Sequence, residues 1–154
     1  MDVFVWGEKT AKRGADNIVS CLYIYLQRIG IIRGEGAKRL VIIADNYSGQ
    51  NKNNCVFKFC CWLVDAGWAK EVKMMFLIKG HTKNECNSKL NSLKKGTFGV
   101  KMFTEKGLDA AYTKQSSDYI RLTRLPEGET RWKGFTEGLG KTYVVRVLFC
   151  ISCI

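Results

Sequence analysis

Two short, continuous apolar runs restrict what this chain can fold into. Leu40 to Ala44 is rich in β-branched residues and ends at Asp45, and Val72 to Ile78 is a second run of strand length. Such runs are typical of parallel strands, and the first suits a strand that is buried on both faces. Parallel neighbours need a crossover connection, which is usually a helix. With a helix between them, the two runs predict a right-handed βαβ unit.

The segment between the runs carries helix signals. Asn53 or Asn54 can cap a helix, and Gly67 is placed to end it. The residues expected on its inner side are Phe57, Cys60 or Cys61, and Leu63 or Val64.

Apolar residues at helical spacing predict an earlier helix that Gly30 closes. Its inward residues would be Ile18, Leu22, Tyr25 or Leu26, and Ile29.

The rest of the chain continues a mixed α/β pattern. Val3 to Trp6 is predicted to be a short strand, and a later helix with Leu90 and Leu93 facing inward ends near Gly96. The remaining predicted elements are strands at Phe98 to Phe103 and at Tyr119 to Leu125 and a helix from Glu105 to Gln115. A chain of 154 residues is long enough for one sizeable core, so we predict a single domain over residues 1–154.

Apolar content and cysteine usage indicate an intracellular protein. The longest apolar runs are about half of the ~20 residues that a transmembrane helix needs, so no membrane partner is expected. The charges near the N-terminus follow a short apolar piece, which is the wrong order for a secretory signal. Seven cysteines without such a signal fit reduced thiols better than a disulfide framework.

A local excess of positive charge indicates a polyanionic partner. The formal net charge is +11, and the segment from Lys79 to Lys101 holds six lysines and one acid, Glu85. Lysines that neutralise phosphates release condensed counterions, which favours binding to nucleic acid. A solvated lysine face explains the same pattern, and the charge alone does not decide between the two.

Asp45 and the polar residues after it form the first candidate site. The strand that ends at Asp45 is followed by amide, hydroxyl and glycine residues and Lys52 as far as Asn54. Oxygen ligands of this kind suit a hard divalent cation such as Mg²⁺, and amide donors suit phosphate or sugar oxygens. The alternative is a cluster of helix-capping and turn residues. Since capping uses only one or two such residues, we favour a functional site.

A second polar cluster follows the neighbouring run. The sequence "GHTKNE" begins at Gly80 and contains His81, the only histidine. Ligands in open α/β sheets gather beyond the carboxyl ends of parallel strands, so the two clusters should meet. His81 is either a structural hydrogen-bonding residue or a group that positions phosphate or water.

Both clusters carry a recognisable double motif. "DNYSGQNKNN" and, about two dozen residues later, "IKGHTKNECNSKLNSLKKG" resemble a transposon-associated family of ribonuclease H-like domains of the DDE transposase and integrase type. That family shows D-N-x-x-G-Q-N-K-N after one strand and G-H-T-K-N-x-C-D after the next. The resemblance is best over residues 1–96 and weaker over 97–154, where C-terminal strands and a helix are expected.

The resemblance implies a ribonuclease H-like mixed sheet flanked by helices. In such domains three carboxylates hold two divalent metals for in-line displacement at a phosphodiester. Asp45 would match the second acid, and Mg²⁺ or Mn²⁺ would be the cofactor. Glu85 is the other candidate metal ligand, with His81 as a further catalytic candidate.

Two departures from the family pattern weaken the expectation of catalysis. Asn87 stands where the family has an acid, and Glu85 lies two residues earlier, about 200° away on a helix. Val3 to Trp6 resembles the third strand of the family's antiparallel meander, so the first two strands and their acid are expected to be missing. An incomplete sheet would expose edges that aggregate or recruit another segment.

The expected function is therefore that of a remnant or derivative of such a domain, one that binds DNA or RNA through a basic surface without sequence preference. An active metal-dependent nuclease or strand-transfer enzyme is the alternative, and a protein-interaction module is the third. The location expected for an expressed protein of this kind is the nucleus. The candidate nucleic-acid-binding residues are Asn46, Gln50, Asn51, Lys52, Asn53, Lys79, Thr82, Lys83, Asn84, Lys89, Lys94 and Lys95.

Overall fold

The computed structural model describes residues 2–6, 14–45, 52–77, 85–97, 105–115, 121–124 and 139. In chain order the elements are β1 (Asp2–Val5), α1 (Ala15–Arg28), β2 (Lys38–Asp45), α2 (Asn54–Asp65), β3 (Ala69–Leu77), α3 (Glu85–Thr97), α4 (Glu105–Gln115) and β4 (Arg121–Arg124). The chain forms two compact units, one of residues 1–12 and 78–129 and the other of residues 13–77 and 130–154. We call them unit 1 and unit 2. The mixed α/β class is confirmed, and the prediction of a single domain stays a prediction.

Unit 2 contains the predicted strand–helix–strand unit. β2 and β3 pair in parallel, from Lys38 opposite Ala69 to Asp45 opposite Leu77, and α2 connects them. Asn53 caps α2 through its side-chain oxygen, which accepts a hydrogen bond from the Val56 backbone N–H at 3.1 Å. Gly67 adopts a φ of +73°, the left-handed conformation that ends many helices. The predicted helix and its stop signal are therefore confirmed.

The core of unit 2 lies between its two helices and one face of the sheet. Val19 and Leu26 of α1 are buried against Val56, Phe59 and Leu63 of α2 in one cluster. The sequence left open whether Tyr25 or Leu26 faces inward in α1. Leu26 is the inward residue, since it is 2% exposed whereas Tyr25 is 37% exposed. Ile29 is 43% exposed, so its predicted inward position is wrong. It follows the last residue of α1, Arg28, where the chain turns.

Aromatic and thiol contacts join the helices of this core. The Trp62 ring meets the Trp68 ring edge to face, with centroids 4.7 Å apart, and both side chains pack against the core. The Cys55 thiol donates a hydrogen bond to a carboxylate oxygen of Asp16 over 3.7 Å, which links α2 to α1. Cys21 and Cys60 also lie in these helices and form no disulfide within the described residues, and the predicted reduced state stays a prediction.

The helices α1 and α2 cover one face of the β2–β3 sheet and leave the other face exposed. Along β2 the side chains alternate between half-buried and exposed, and Val41 and Ile43 are 55% and 58% exposed. Met75 of β3 pairs with Ile43 and is 45% exposed. The prediction that β2 is buried on both faces is therefore wrong for the described residues. A parallel pair presents two faces, and α1 and α2 supply only one helical layer.

Unit 1 contains the β1–β4 pair together with α3 and α4, which pack against each other. The helix predicted from Glu105 to Gln115 is confirmed, and the predicted strand near residue 121 is present as β4. Among the α3 side chains that the structure describes, Leu93 is buried, whereas Leu90 is 37% exposed. The inward position predicted for Leu90 is therefore wrong. The predicted strand at 98–103 lies outside the described residues.

β1 forms a parallel pair with β4. Val3 pairs with Leu122 and Phe4 with Thr123. This pairing does not test the antiparallel meander that the resemblance implies, and the ribonuclease H-like fold stays a prediction. In the part of the chain that the structure describes, β4 is the strand that pairs with β1.

Candidate functional site

The carboxyl ends of β2 and β3 lie side by side in unit 2. Asp45 is the last residue of β2 and pairs with Leu77, the last residue of β3. Because the strands are parallel, the chain leaves both of them at the same edge of the sheet. In the sequence the first polar cluster follows Asp45 directly, and the second begins at Gly80, three residues after Leu77. Both strands therefore end at one edge of the sheet, whereas the predicted meeting of the two polar clusters lies outside the described residues and stays a prediction.

Asp45 belongs to the face of the sheet that the helices leave open. Side chains alternate along a strand, so Asp45 shares a face with Val41 and Ile43. Its side chain is exposed, whereas that of Ala44 before it is half-buried. A carboxylate in this position is accessible to a ligand that approaches the open face at the end of the strands.

Lys52 lies on the opposite face of the same sheet. Its ammonium group is 5.8 Å from the centroid of the Phe76 ring, a cation–π contact. Phe76 in turn meets Phe57 of α2 edge to face, with ring centroids 6.1 Å apart, so it lies on the helix-covered face. Asp45 and Lys52 therefore lie near the same strand ends but belong to different faces of the sheet.

Asn53 has a structural role in this region. Its side-chain oxygen caps α2 and accepts from the Val56 backbone N–H. The capping alternative is confirmed for this residue. A contact between Asn53 and nucleic acid stays a prediction.

The described lysines of α3 do not form a single stripe. At about 100° per residue, Lys89 and Lys94 are separated by about 140° and Lys94 and Lys95 by about 100° around the helix. Lys89 is half-buried on the side of the buried Leu93, while Lys94 and Lys95 are exposed. Lys94 and Lys95 also occupy the last turn, where a positive charge interacts favourably with the helix dipole and stabilises the helix by about 0.3–1 kcal/mol. They can contact phosphate, but a flat basic helix face is not present in α3.

Several candidates lie where the structure makes no statement. Glu85 is the first residue of α3, and its side chain is outside the described part. The candidates in segments that are not described are Asn46, Gln50, Asn51, Lys79, His81, Thr82, Lys83 and Asn84. Their predicted roles stay predictions.

The described carboxylates and thiols bear on the predicted metal site. Within them, no group of three or more His, Cys, Asp and Glu side chains is placed to hold a metal ion. At the end of β2 the described part supplies one carboxylate, Asp45. One carboxylate does not fit a two-metal site, which needs anionic ligands from several carboxylates. The roles predicted for Asp45 and Glu85 as metal ligands thus stay predictions.

Sequence reasoning missed the apolar open face next to Asp45. Val41, Ile43 and Met75 project from it, and Lys73, which pairs with Val41, lies on it too. Lys73 is a charge inside an otherwise apolar run, and this was the available signal that one face is not buried.

None of the helices in the described ranges is both long and apolar enough to cross a membrane.

Comparison with known proteins assigns the chain to a family. The curated proteins and the solved structures contain no significant match to this chain. A family model described as "Domain of unknown function (DUF7869)" matches residues 1–125. This match covers well over half of the 154 residues, and the chain therefore belongs to the DUF7869 family.

Proposed function

We propose that this chain is a derivative of a ribonuclease H-like, transposase- or integrase-type domain that binds nucleic acid and is impaired in phosphodiester cleavage. The pairing of Asp45 with Leu77 carries the proposal. These two residues end their strands at one edge of a parallel βαβ unit, and in the sequence the D-N-x-x-G-Q-N-K-N motif begins at Asp45 and the G-H-T-K-N segment begins three residues after Leu77. Ligand sites of open α/β sheets lie at such an edge.

Impaired cleavage follows from the acids that the site can assemble. Asn87 stands where the resembling family has an acid, and Asn cannot supply the negative charge that a divalent metal requires. Asp45 remains as the strand-end carboxylate. A site with fewer carboxylates binds metal more weakly and stabilises the transition state less. The chain should therefore bind its nucleic acid without cleaving it efficiently.

Positive charge supplies the binding. The net charge is +11, and Lys94 and Lys95 are exposed at the end of α3. Contacts made by such lysines neutralise phosphates without reading bases, so affinity depends on salt and not on sequence. The proposed partner is DNA or RNA, bound without sequence preference.

Fluorescence anisotropy with labelled DNA and RNA tests the binding. The full chain should bind both at low salt, and log K should fall linearly with log salt concentration. The double variant Lys94→Gln/Lys95→Gln should lower this slope by about 0.7–0.9 for each lost phosphate contact. Lys106→Gln/Lys114→Gln removes the same charge from exposed sites on α4 and serves as the control. Absence of binding at low salt, or binding that salt does not weaken, would contradict the proposal.

An active metal-dependent nuclease or strand-transfer enzyme is the second candidate. The exposed position of Asp45 at the end of a parallel strand favours it. Incubation of labelled DNA and RNA with the chain and Mg²⁺ or Mn²⁺, beside Asp45→Asn, separates the two functions. We expect equal, near-background cleavage from both proteins. Cleavage that Asp45→Asn abolishes would replace the proposed function with the enzyme.

A further inference from the structure

The amino ends of β2 and β3 gather positive charge in unit 2. β2 begins with Lys38 and Arg39, of which Lys38 pairs with Ala69 and Arg39 with Glu71. The register therefore shifts by one residue, and Lys70 is an extra residue of β3 beside these two cations. All three cationic residues are exposed. Because neighbouring strands are about 4.8 Å apart, the Cα atoms of the three lie within about 7 Å of one another.

A strained turn adds a fourth cation at the same end of β2. The turn from α1 into β2 is fixed by Ile31 and Ile32, which are buried in the core of unit 2. A Cβ built on Gly34 would overlap the carbonyl oxygen of Gly30, so the backbone closes tightly here. Arg33 is exposed and has a φ of +62°, a left-handed conformation that favours glycine over a long side chain. An exposed arginine in an unfavourable backbone conformation points to a role for its guanidinium group.

The nearby acids leave most of this positive charge available. The Arg39 Nε atom lies 3.5 Å from a carboxylate oxygen of Glu71, and the two side chains are 74% and 61% exposed. An ion pair this exposed contributes little, so the arginine can exchange its partner for a phosphate. Within the described residues no carboxylate pairs with Lys38 or Lys70. Neighbouring like charges destabilise a sheet, and a bound polyanion would remove this repulsion.

We propose that the amino ends of β2 and β3 form a phosphate-binding surface for nucleic acid. This amino-end surface consists of Arg33, Lys38, Arg39 and Lys70. The inference rests on the proposed function, because it names where on unit 2 the nucleic acid binds. Lys38 and Asp45 are at opposite ends of the eight residues of β2, about 23 Å apart. The surface is thus separate from the candidate site and from its carboxylate, which repels phosphate. Contacts here neutralise phosphates without reading bases.

Fluorescence anisotropy of the full chain with a labelled DNA oligonucleotide tests the amino-end surface. Lys38→Gln/Lys70→Gln should weaken binding at least about tenfold at low salt. It should also lower the slope of log K against log salt concentration by about 0.7–0.9 for each lost phosphate contact. Lys38→Arg/Lys70→Arg keeps the charge and should bind like the unaltered chain. Lys106→Gln/Lys114→Gln removes the same charge from exposed positions on α4 and should leave the slope unchanged.

Arg33→Gly separates binding from stability. Glycine relieves the left-handed strain, so the affinity should fall at least about threefold while the thermal midpoint of unfolding does not fall. If the unaltered chain binds and Lys38→Gln/Lys70→Gln or Arg33→Gly binds equally well, the inference is overturned and the proposed function stands. An equal loss in the arginine double variant or in the α4 control would also overturn the inference. Absence of binding by the unaltered chain would overturn the inference and the proposed function together.

Discussion

Asp45 and Leu77 end neighbouring parallel strands as a pair, and this register is the basis of the candidate site. The position of Asp45 in this pair also shows on which face of the sheet its ligand would bind. Asp45 lies on the open face of the sheet, whereas Lys52 approaches Phe76 on the face that α2 covers. A ligand that contacts both residues would have to reach around the strand ends. Substitutions at Asp45 and at Lys52 are therefore expected to affect different ligand groups.

The cap of α2 should contribute measurably to stability. Asn53→Ala removes the oxygen that accepts from the Val56 N–H, and the loss should be about 1 kcal/mol in the free energy of unfolding. Urea denaturation followed by circular dichroism measures it. Asn53→Asp keeps an acceptor at the same position and should retain most of the stability. Equal losses in both variants would show that the cap is not the cause.

The inner side of α2 should be sensitive to truncation. Leu63 is 0% exposed, so Leu63→Ala should lower the free energy of unfolding by about 2–5 kcal/mol through lost burial and a cavity. Val64 is its neighbour in sequence but is 39% exposed, and Val64→Ala should cost about 0.5 kcal/mol. Denaturant titration of both variants gives the comparison. Similar losses at the two positions would contradict the assigned helix face.

The described cysteines should differ in reactivity. Burial raises the pKa of the Cys21 and Cys60 thiols to about 12 from 9.0, and for Cys60 the adjacent Cys61 adds to the effect. The thiolate is the reactive form, so a thiol reagent near neutral pH should modify exposed Cys61 first. Peptide mapping after short exposure identifies the modified residues. Rapid labelling of Cys21 or Cys60 in the folded chain would show that they are not buried.

The same thiols predict a loss of stability in alkali. Between pH 9.0 and about 12 the unfolded chain loses protons from Cys21 and Cys60 that the folded chain retains. The free energy of unfolding therefore falls as the pH rises through this range. Denaturation midpoints of Cys60→Ala and the unaltered chain, compared across this range, measure the contribution. The variant should show a shallower decline, and parallel declines would assign the loss to other groups.

Gly67 should resist substitution because of its backbone. Its φ of +73° lies in the left-handed region, and a Cβ built there meets no heavy atom of the described structure within 4 Å. Gly67→Ala should thus cost about 1 kcal/mol through conformation alone. Gly67→Asn should cost less, because Asn tolerates this conformation better than Ala. Thermal unfolding of the two variants distinguishes backbone strain from steric crowding, which would make Asn the worse substitution.

Local signals in the sequence determined the elements of this protein. Asn53 as a cap, Gly30 and Gly67 as helix ends, and the bounds of α4 all depend on residues within a few positions of each other. The parallel pairing of β2 with β3 followed from two apolar runs with a helix between them. Such features are predictable because the interactions that stabilise them are close in sequence.

Tertiary structure alone decided which faces are covered and where the site residues lie. Val41 and Ile43 are as apolar as buried residues, but their exposure depends on which layer packs against the sheet. Similarly, sequence spacing put Asp45 and Lys52 in one cluster, whereas Asp45 lies on the open face and the contact of Lys52 with Phe76 puts Lys52 on the face that α2 covers. These properties depend on contacts between elements that are distant in sequence, so local signals such as Lys73 can indicate an exposed face but do not determine it.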